Sequence, residues 1–225
     1  MASSVQAAGR ATAPQREEFL ARVGNWIQSH RQATIYAGAG LVLAALVVAW
    51  AVWSGRQSEI RAAEQLSPAR FALESENLPL AASEFASVAA NYGGTRAAQE
   101  ATVLLARVRL MQGQSDQAVT VLRDFARGAS DLYRAQAFSL LGAAYENLGR
   151  WADAADAYQK GSAAALWPSL EAQLLLDAAR DWAAAGDTAK AVANLERIVK
   201  EFPKTGPVVE AKVRLGELTR GAEAP

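Results

Sequence analysis

Few side chains in this sequence have the chemistry that catalysis requires. Its 225 residues include no cysteine and one histidine, His30. A thiol nucleophile, a thiolate metal site, a disulfide and a lipid anchor on an acylated cysteine are therefore excluded. His30 lies in the juxtamembrane segment before a long apolar run, far from any pocket of the later domain, so we expect it to be a bystander at a membrane interface.

Two further patterns only partly match functional motifs. Gly93-Gly94 lacks the Gly-Lys-Ser/Thr ending of a phosphate-binding loop, so we interpret this pair as a linker. Several carboxylates have spacings that place them beside Lys or Arg on outer, solvated helix faces. They are Asp153, Asp156, Glu196 and Glu201. Carboxylates of distant helices can still meet, so an enzyme stays as the least favoured alternative, and we expect no catalytic residue, cofactor or metal ion.

The composition favours a helical protein that does not bind nucleic acid. The 23 basic and 23 acidic residues balance, so no sequence-wide positive field would attract a polyanion. Alanine is abundant, and glycine and proline are sparse, which suits closely packed helices better than sheets. We therefore predict an all-α fold.

The segment 33–53 has the length and composition of a membrane-spanning helix. It contains no charged residue and is long enough to cross a hydrocarbon core of roughly 30 Å. Tyr36 and Trp50 lie near its two ends, where aromatic rings prefer the headgroup region, and Arg31 and Arg56 flank it. The sequence thus predicts a transmembrane helix.

Two alternatives to a transmembrane helix are weaker. A buried core helix of this length would need a polar stripe, and 33–53 has none. Ala49-Trp50-Ala51 has the small-x-small form of a signal-peptide cleavage site. However, both the segment before the apolar run and the run itself are longer than in a usual signal peptide, so we expect the anchor to be retained.

The residues before the span predict its orientation. Residues 1–15 are small and polar and are expected to be a disordered tail, whereas 16–32 has the spacing of an amphipathic juxtamembrane helix. Slightly more arginines precede the span than follow it, which places the N-terminus in the cytoplasm and the rest of the chain outside it.

After the span, residue types recur with a period of about 37. The clearest copy follows the tetratricopeptide repeat pattern of aromatic, Leu-Gly and Tyr positions, then Ala and an aromatic residue. It consists of Phe138, Leu141, Gly142, Tyr145, Gly149, Trp151, Ala154 and Tyr158. The copies on either side contain Trp182, Gly186, Ala191, Leu195 and Pro203, and Leu105, Ala106, Gly113, Ala118 and Leu122.

Each recurring position has a structural role. Gly142 suits a close crossing of two helix backbones, and aromatic residues such as Tyr158 suit the wider gaps between neighbouring helices. Gly113, Gly149 and Gly186 suit the left-handed ends of first helices. We predict a repeat domain over 57–220. Its helix pairs are expected near 57–91, 95–127, 131–164 and 168–202, with a polar-faced capping helix near 206–220.

A helical repeat array offers a concave surface to another protein chain, so protein binding is the expected function. The repeat phase places ten first-helix residues on that face: Glu100, Val103, Arg107, Gln136, Ser139, Glu146, Asn147, Gln173, Leu176 and Arg180.

The whole plan resembles one bacterial family. The segments ANYGGTRAAQEATVLLARVRL and KEFPKTGPVVEAKVRLGEL, after a single N-terminal span, are similar to the ancillary subunit of the Sec translocon and its tetratricopeptide relatives. The resemblance implies a single-pass protein of the bacterial inner membrane with a periplasmic repeat domain. Its implied partners are translocon subunits, periplasmic chaperones and unfolded clients. A scaffold for another envelope complex, in cell division or outer-membrane assembly, is the alternative.

Overall fold

The computed structural model describes Trp26 and residues 30–219, and every regular element in this part of the chain is an α-helix. The elements are α1 Arg31–Glu74, α2 Leu78–Asn91, α3 Arg96–Met111, α4 Ser115–Gly128, α5 Asp131–Asn147, α6 Trp151–Ala163, α7 Pro168–Ala184, α8 Thr188–Glu201 and α9 Pro207–Thr219. The predicted all-α fold with a helical repeat solenoid is confirmed. The predicted tail 1–15 and nearly all of the juxtamembrane helix 16–32 lie outside the described residues.

Contacts divide the chain between Gly55 and Arg56 into two units. In the first unit, α1 carries the predicted span 33–53. Its apolar side chains are exposed, with Leu41 at 74% and Val47 at 58% of full exposure. Among the described residues, α1 is the one helix long and apolar enough to cross a membrane, and its most apolar 18-residue stretch has a mean hydropathy of 1.9.

From α2 to α9, each helix of the second unit packs against the next along the chain, and residues of α1 and α2 share one apolar cluster. Contacts also join α3 to α5 and α7 to α9, so alternate helices stack as well as consecutive ones. Three apolar clusters form the core: one contains Phe85 of α2, one contains Tyr158 and Trp182, and one contains Leu195 and Leu215. Stacked helix pairs thereby bury a core along the whole unit.

The turns that follow first helices use left-handed glycines, as predicted. Gly113, Gly149 and Gly186 have φ angles of 71°, 68° and 84°. At the first of these turns, the N–H of Gln114 donates to the carbonyl of Arg109 over 2.8 Å, closing the helix end. The turn after α1 instead has Glu76 at φ 57°, so no glycine marks it in the sequence.

Gly142 of α5 packs directly against Tyr158 of α6. A Cβ at this position would lie 2.7 Å from the ring of Tyr158. The ring is 5% exposed, and burial raises the pKa of its hydroxyl. The small residue and the aromatic ring therefore form one packing unit.

Candidate protein-binding face

The start of α3 is held by its own N-cap residue and by a side chain from the preceding repeat. Thr95 accepts a hydrogen bond at Oγ1 from the N–H of Ala98 over 3.0 Å. The Glu59 carboxylate of α1 accepts the N–H groups of Arg96 and Ala97 over 2.9 and 3.1 Å. These bonds satisfy donors that the first turn of a helix leaves free and place a negative charge at its positive end.

The start of α5 is held in a similar way. The Oε1 atom of Gln99, in α3, accepts the N–H of Ser130 over 2.9 Å, and Ser130 makes no side-chain cap of its own. The first helices α1, α3 and α5 are thus tied in sequence, each to the N-terminus of the next.

Eight of the ten predicted face residues are accessible to a partner. Exposed residues are Arg107, Gln136, Asn147, Gln173 and Arg180, and half-buried ones are Glu100, Ser139 and Glu146. Val103 and Leu176, in contrast, are only 2% and 4% exposed. Burial of these apolar side chains between helices stabilises the fold. They therefore belong to the interior, and their placement on the accessible face was wrong.

Ion pairs join the accessible faces of neighbouring first helices. Arg70 of α1 pairs with Glu100 of α3, and Glu146 of α5 pairs with Arg180 of α7. Arg180 Nη1 also lies 3.3 Å from Oδ1 of Asp177. Three of the predicted residues therefore already have charged partners within the array, which sequence spacing could not reveal.

A buried carboxyl group lies beside this ion-pair cluster. Asp181 is 1% exposed, and its Oδ1 lies 3.6 Å from Nε of Arg180. Burial raises the pKa of Asp181 to about 7, the nearby Glu146 carboxylate adds to the increase, and Arg180 opposes it. Burial likewise raises the pKa of Asp177, against the effect of Arg180.

A cavity of about 280 Å³ lies between α1, α3 and α5, and we call it the charged cavity. It is lined by Glu59, Ala63, Leu66, Arg70, Arg96, Ala97, Glu100 and Tyr133. Burial raises the pKa of the Tyr133 hydroxyl, and the carboxylate of Glu100 raises it further. Because residues of three successive first helices line one cavity, these helices share one face of the array.

A second cavity, of about 260 Å³, has mainly apolar walls, and we call it the apolar pocket. It is lined by Asp131, Leu132, Ala135, Gln136, Ser139, Leu166, Trp167 and Leu170. Leu132, Leu166 and Trp167 are 45%, 52% and 60% exposed. Gln136 and Ser139 were predicted from the repeat phase, whereas Leu166 and Trp167 were missed because they lie in the loop before α7.

The outer carboxylates behave as ordinary surface groups. Asp153 pairs with Arg150 over 2.7 Å, and Glu201 pairs with Arg197 over 2.8 Å, as their spacing predicted. Across the described residues, no group of three His, Asp or Glu side chains is arranged to hold a metal ion.

Comparisons with known proteins agree with this architecture. Two crystal structures of nearly identical TPR-like repeats from Podosopora anserina, one of them a point variant of a chain named for kinesin light chain, superpose with a TM-score of 0.56. Each is 20% identical, and the alignment covers 72% of this chain and 86% of the other. At that identity the likeness shows the fold alone. No curated protein matches the sequence.

Two family models match the chain. A tetratricopeptide repeat model matches residues 173–205, and a tetratricopeptide repeat-like domain model matches residues 56–175. Such repeats mediate contacts between proteins and are typically non-enzymatic, so the array is a protein-interaction scaffold. Since the longer match covers more than half of the sequence, the chain belongs to the tetratricopeptide repeat-like domain family.

Proposed function

We propose that this protein is a membrane-anchored adaptor that binds other polypeptides through the face formed by its first helices. One observation carries the proposal: the apolar part of α1, exposed along its length, precedes a tetratricopeptide repeat-like array in the same chain. A helix with such side chains is stable in lipid, whereas exposure of these apolar side chains to water is unfavourable in free energy.

The chemistry of the face favours an extended polypeptide with occasional large apolar residues. The apolar pocket, of about 260 Å³, is slightly smaller than most small-molecule sites, and Leu132 and Trp167 contribute exposed apolar surface to it. The side chains of Gln136 and Ser139 line the same pocket and are suited to hydrogen-bond the backbone of a bound segment. The eight accessible predicted residues complete the proposed face.

The resemblance of the repeat segments supports a more specific role. We infer that the protein is an ancillary subunit of the Sec translocon in the bacterial inner membrane, with its repeat domain in the periplasm. There it would pass emerging polypeptides to periplasmic chaperones. An adaptor for another envelope complex is the alternative, and the two differ in their partners.

Site-specific photo-crosslinking in intact membranes tests this role. A photoreactive residue replaces Gln136 on the proposed face, and Gln117, exposed on α4, provides a matched control. We expect translocon subunits, periplasmic chaperones or translocating polypeptides to be captured at position 136 and not at 117. Capture only of cell-division or outer-membrane assembly proteins would favour the alternative, and equal capture at both positions would contradict the proposed face.

Orientation is tested separately. A reporter that is active only in the periplasm, fused after Pro225, is expected to be active. Activity of a cytoplasm-specific reporter at the same position would reverse the proposed orientation.

A further inference from the structure

Helix α9, at the C-terminal end of the described array, has an uncovered apolar stripe. Its inner face packs into the C-terminal core cluster, where Ala211 and Leu215 are 0% and 1% exposed. On the outer face, Val209 is 69% exposed and Val213 is 57% exposed. The outer face is therefore not the uniformly polar cap that ends most repeat arrays.

The equivalent helix in an earlier repeat, α5, packs a second helix against the face that is exposed in α9. Leu215-Gly216 of α9 occupies the place of Leu141-Gly142 in α5, two periods later in the chain. Leu141 and Leu215 are both buried. The ring of Tyr158, from the second helix of the pair, covers Gly142, but no described atom lies within 4 Å of a Cβ placed on Gly216. The face that receives a second helix in α5 is thus open in α9.

The open face of α9 is complementary to itself. Val209 and Gly216 lie two helical turns apart and so face the same side. In an antiparallel pair of α9 helices, a two-fold axis between Lys212 and Val213 sets the Val209 side chain of each copy opposite Gly216 of the other. Each Val209 side chain then packs against Gly216, which has no side chain of its own. Both copies use the same residues, as in an isologous contact.

Charges on α9 also permit two copies to meet. Glu210 and Glu217 are balanced by Lys212 and Arg214, and Glu210 already pairs with Arg214 over 2.7 Å. Two identical faces therefore bring together no net charge. The long apolar stem of Lys212 can cover Val213 across the axis while its ammonium group stays in water.

We propose that α9 is a homotypic contact surface through which a second copy of this chain docks, antiparallel, with Val209 packed against Gly216. This contact is independent of the proposed adaptor function, because it uses a different helix from the first-helix face on α3, α5 and α7. It would join two arrays at their C-terminal ends.

Disulfide trapping tests the contact in the full chain within its membrane. The sequence has no cysteine, so a single introduced cysteine can form only an intermolecular bond. The test variant is Val213→Cys, because Val213 lies next to the proposed axis. The control is Met111→Cys on α3, where Met111 is 54% exposed. Under mild oxidation we expect at least tenfold more disulfide-linked dimer from Val213→Cys. Equal yields, or no dimer from either variant, would overturn the proposal.

A second variant separates the contact from the folding of α9. Adding Gly216→Leu to Val213→Cys fills the space opposite Val209 and should lower the dimer yield at least tenfold. Because no atom of another described element lies within 4 Å of a Cβ at this position, and leucine favours helix more than glycine, the melting temperature should not fall. An unchanged dimer yield, or disulfide adducts only with another protein, would show that a second copy does not occupy this face.

Discussion

Gly142 and Gly216 hold the same position in the repeat but have different surroundings. The ring of Tyr158 lies against Gly142, whereas the Cβ position of Gly216 is open. Sequence pattern alone treats the two glycines as equivalent. Their difference is a property of the neighbouring helix and not of the residue itself.

Gly142→Ala should therefore lower the free energy of unfolding by about 1–3 kcal/mol, because the added methyl group forces the buried Tyr158 ring to move. Gly216→Ala is the matched control and should raise it by up to about 1 kcal/mol through helix propensity. Urea denaturation of the two variants measures the difference. Equal effects at both positions would mean that the close contact with Tyr158 does not determine the choice of glycine.

Asp181 should make stability depend on pH. Its pKa is raised to about 7 by burial and by Glu146, while in the unfolded chain it is near the ordinary aspartate value. Between these two values the folded state binds more protons, so the free energy of unfolding falls as pH rises. Asp181→Asn removes the charge and should stabilise the protein at pH 8 by about 1–3 kcal/mol, with little effect at pH 4.

Asp187→Asn provides the control for this pH dependence. Asp187 caps α8, and its hydrogen bonds with Lys190 lower its pKa. The ionised Asp187 side chain therefore stabilises the fold above the ordinary aspartate pKa, and this stabilisation is lost as the pH falls. The pH dependence is opposite in sign to that of Asp181. Other groups of the cluster, Glu146, Asp177, Arg180 and Tyr158, are unchanged in both variants. A similar gain at pH 8 in the two variants would contradict the role of burial at Asp181.

Among the helices, the start of α3 depends most on a side chain from elsewhere. The Glu59 carboxylate accepts two of its first N–H groups. Glu59→Ala should lower the free energy of unfolding by about 1–2 kcal/mol. Glu64→Ala, on an exposed part of the same helix, should change it by less than about 0.5 kcal/mol. Thermal and urea unfolding of both variants check this, and equal losses would show that the Glu59 cap does not stabilise α3.

Some helix ends could be predicted from the sequence and others could not. Glycines such as Gly149 and Gly186 marked left-handed turns, because few other residues adopt that conformation without strain. The turn at Glu76 carries no such mark, because its left-handed residue is not a glycine. Glu59 was also missed, since a cap supplied by an earlier helix has no fixed spacing in the sequence.

For the whole molecule, the apolar part of α1 predicts a simple fractionation result. The full chain should stay in the membrane pellet after alkaline carbonate extraction, whereas a chain that begins at Arg56 should be soluble and helical by circular dichroism. Mass spectrometry should find the first fifty residues still attached to the membrane-bound protein. Their loss would indicate a cleaved signal peptide.

The binding face was only partly predictable at this scale. The repeat period identified first-helix positions, and Gln136 and Ser139 both line the apolar pocket. The period could not distinguish a residue that faces a groove from one that packs beneath it, so Val103 and Leu176 were misplaced. It also carries no information about Trp167, because loops between repeats vary independently of the helices.

The bonds from Glu59 to α3 and from Gln99 to α5 all run in one direction along the chain. In these two cases the earlier first helix stabilises the beginning of the next one. Loss of α1 or α3 would therefore remove the cap from the start of the next first helix, while loss of α7 to α9 would leave these two caps in place. During synthesis on a ribosome, the residue that supplies each of these two caps is therefore made before the helix start that it stabilises.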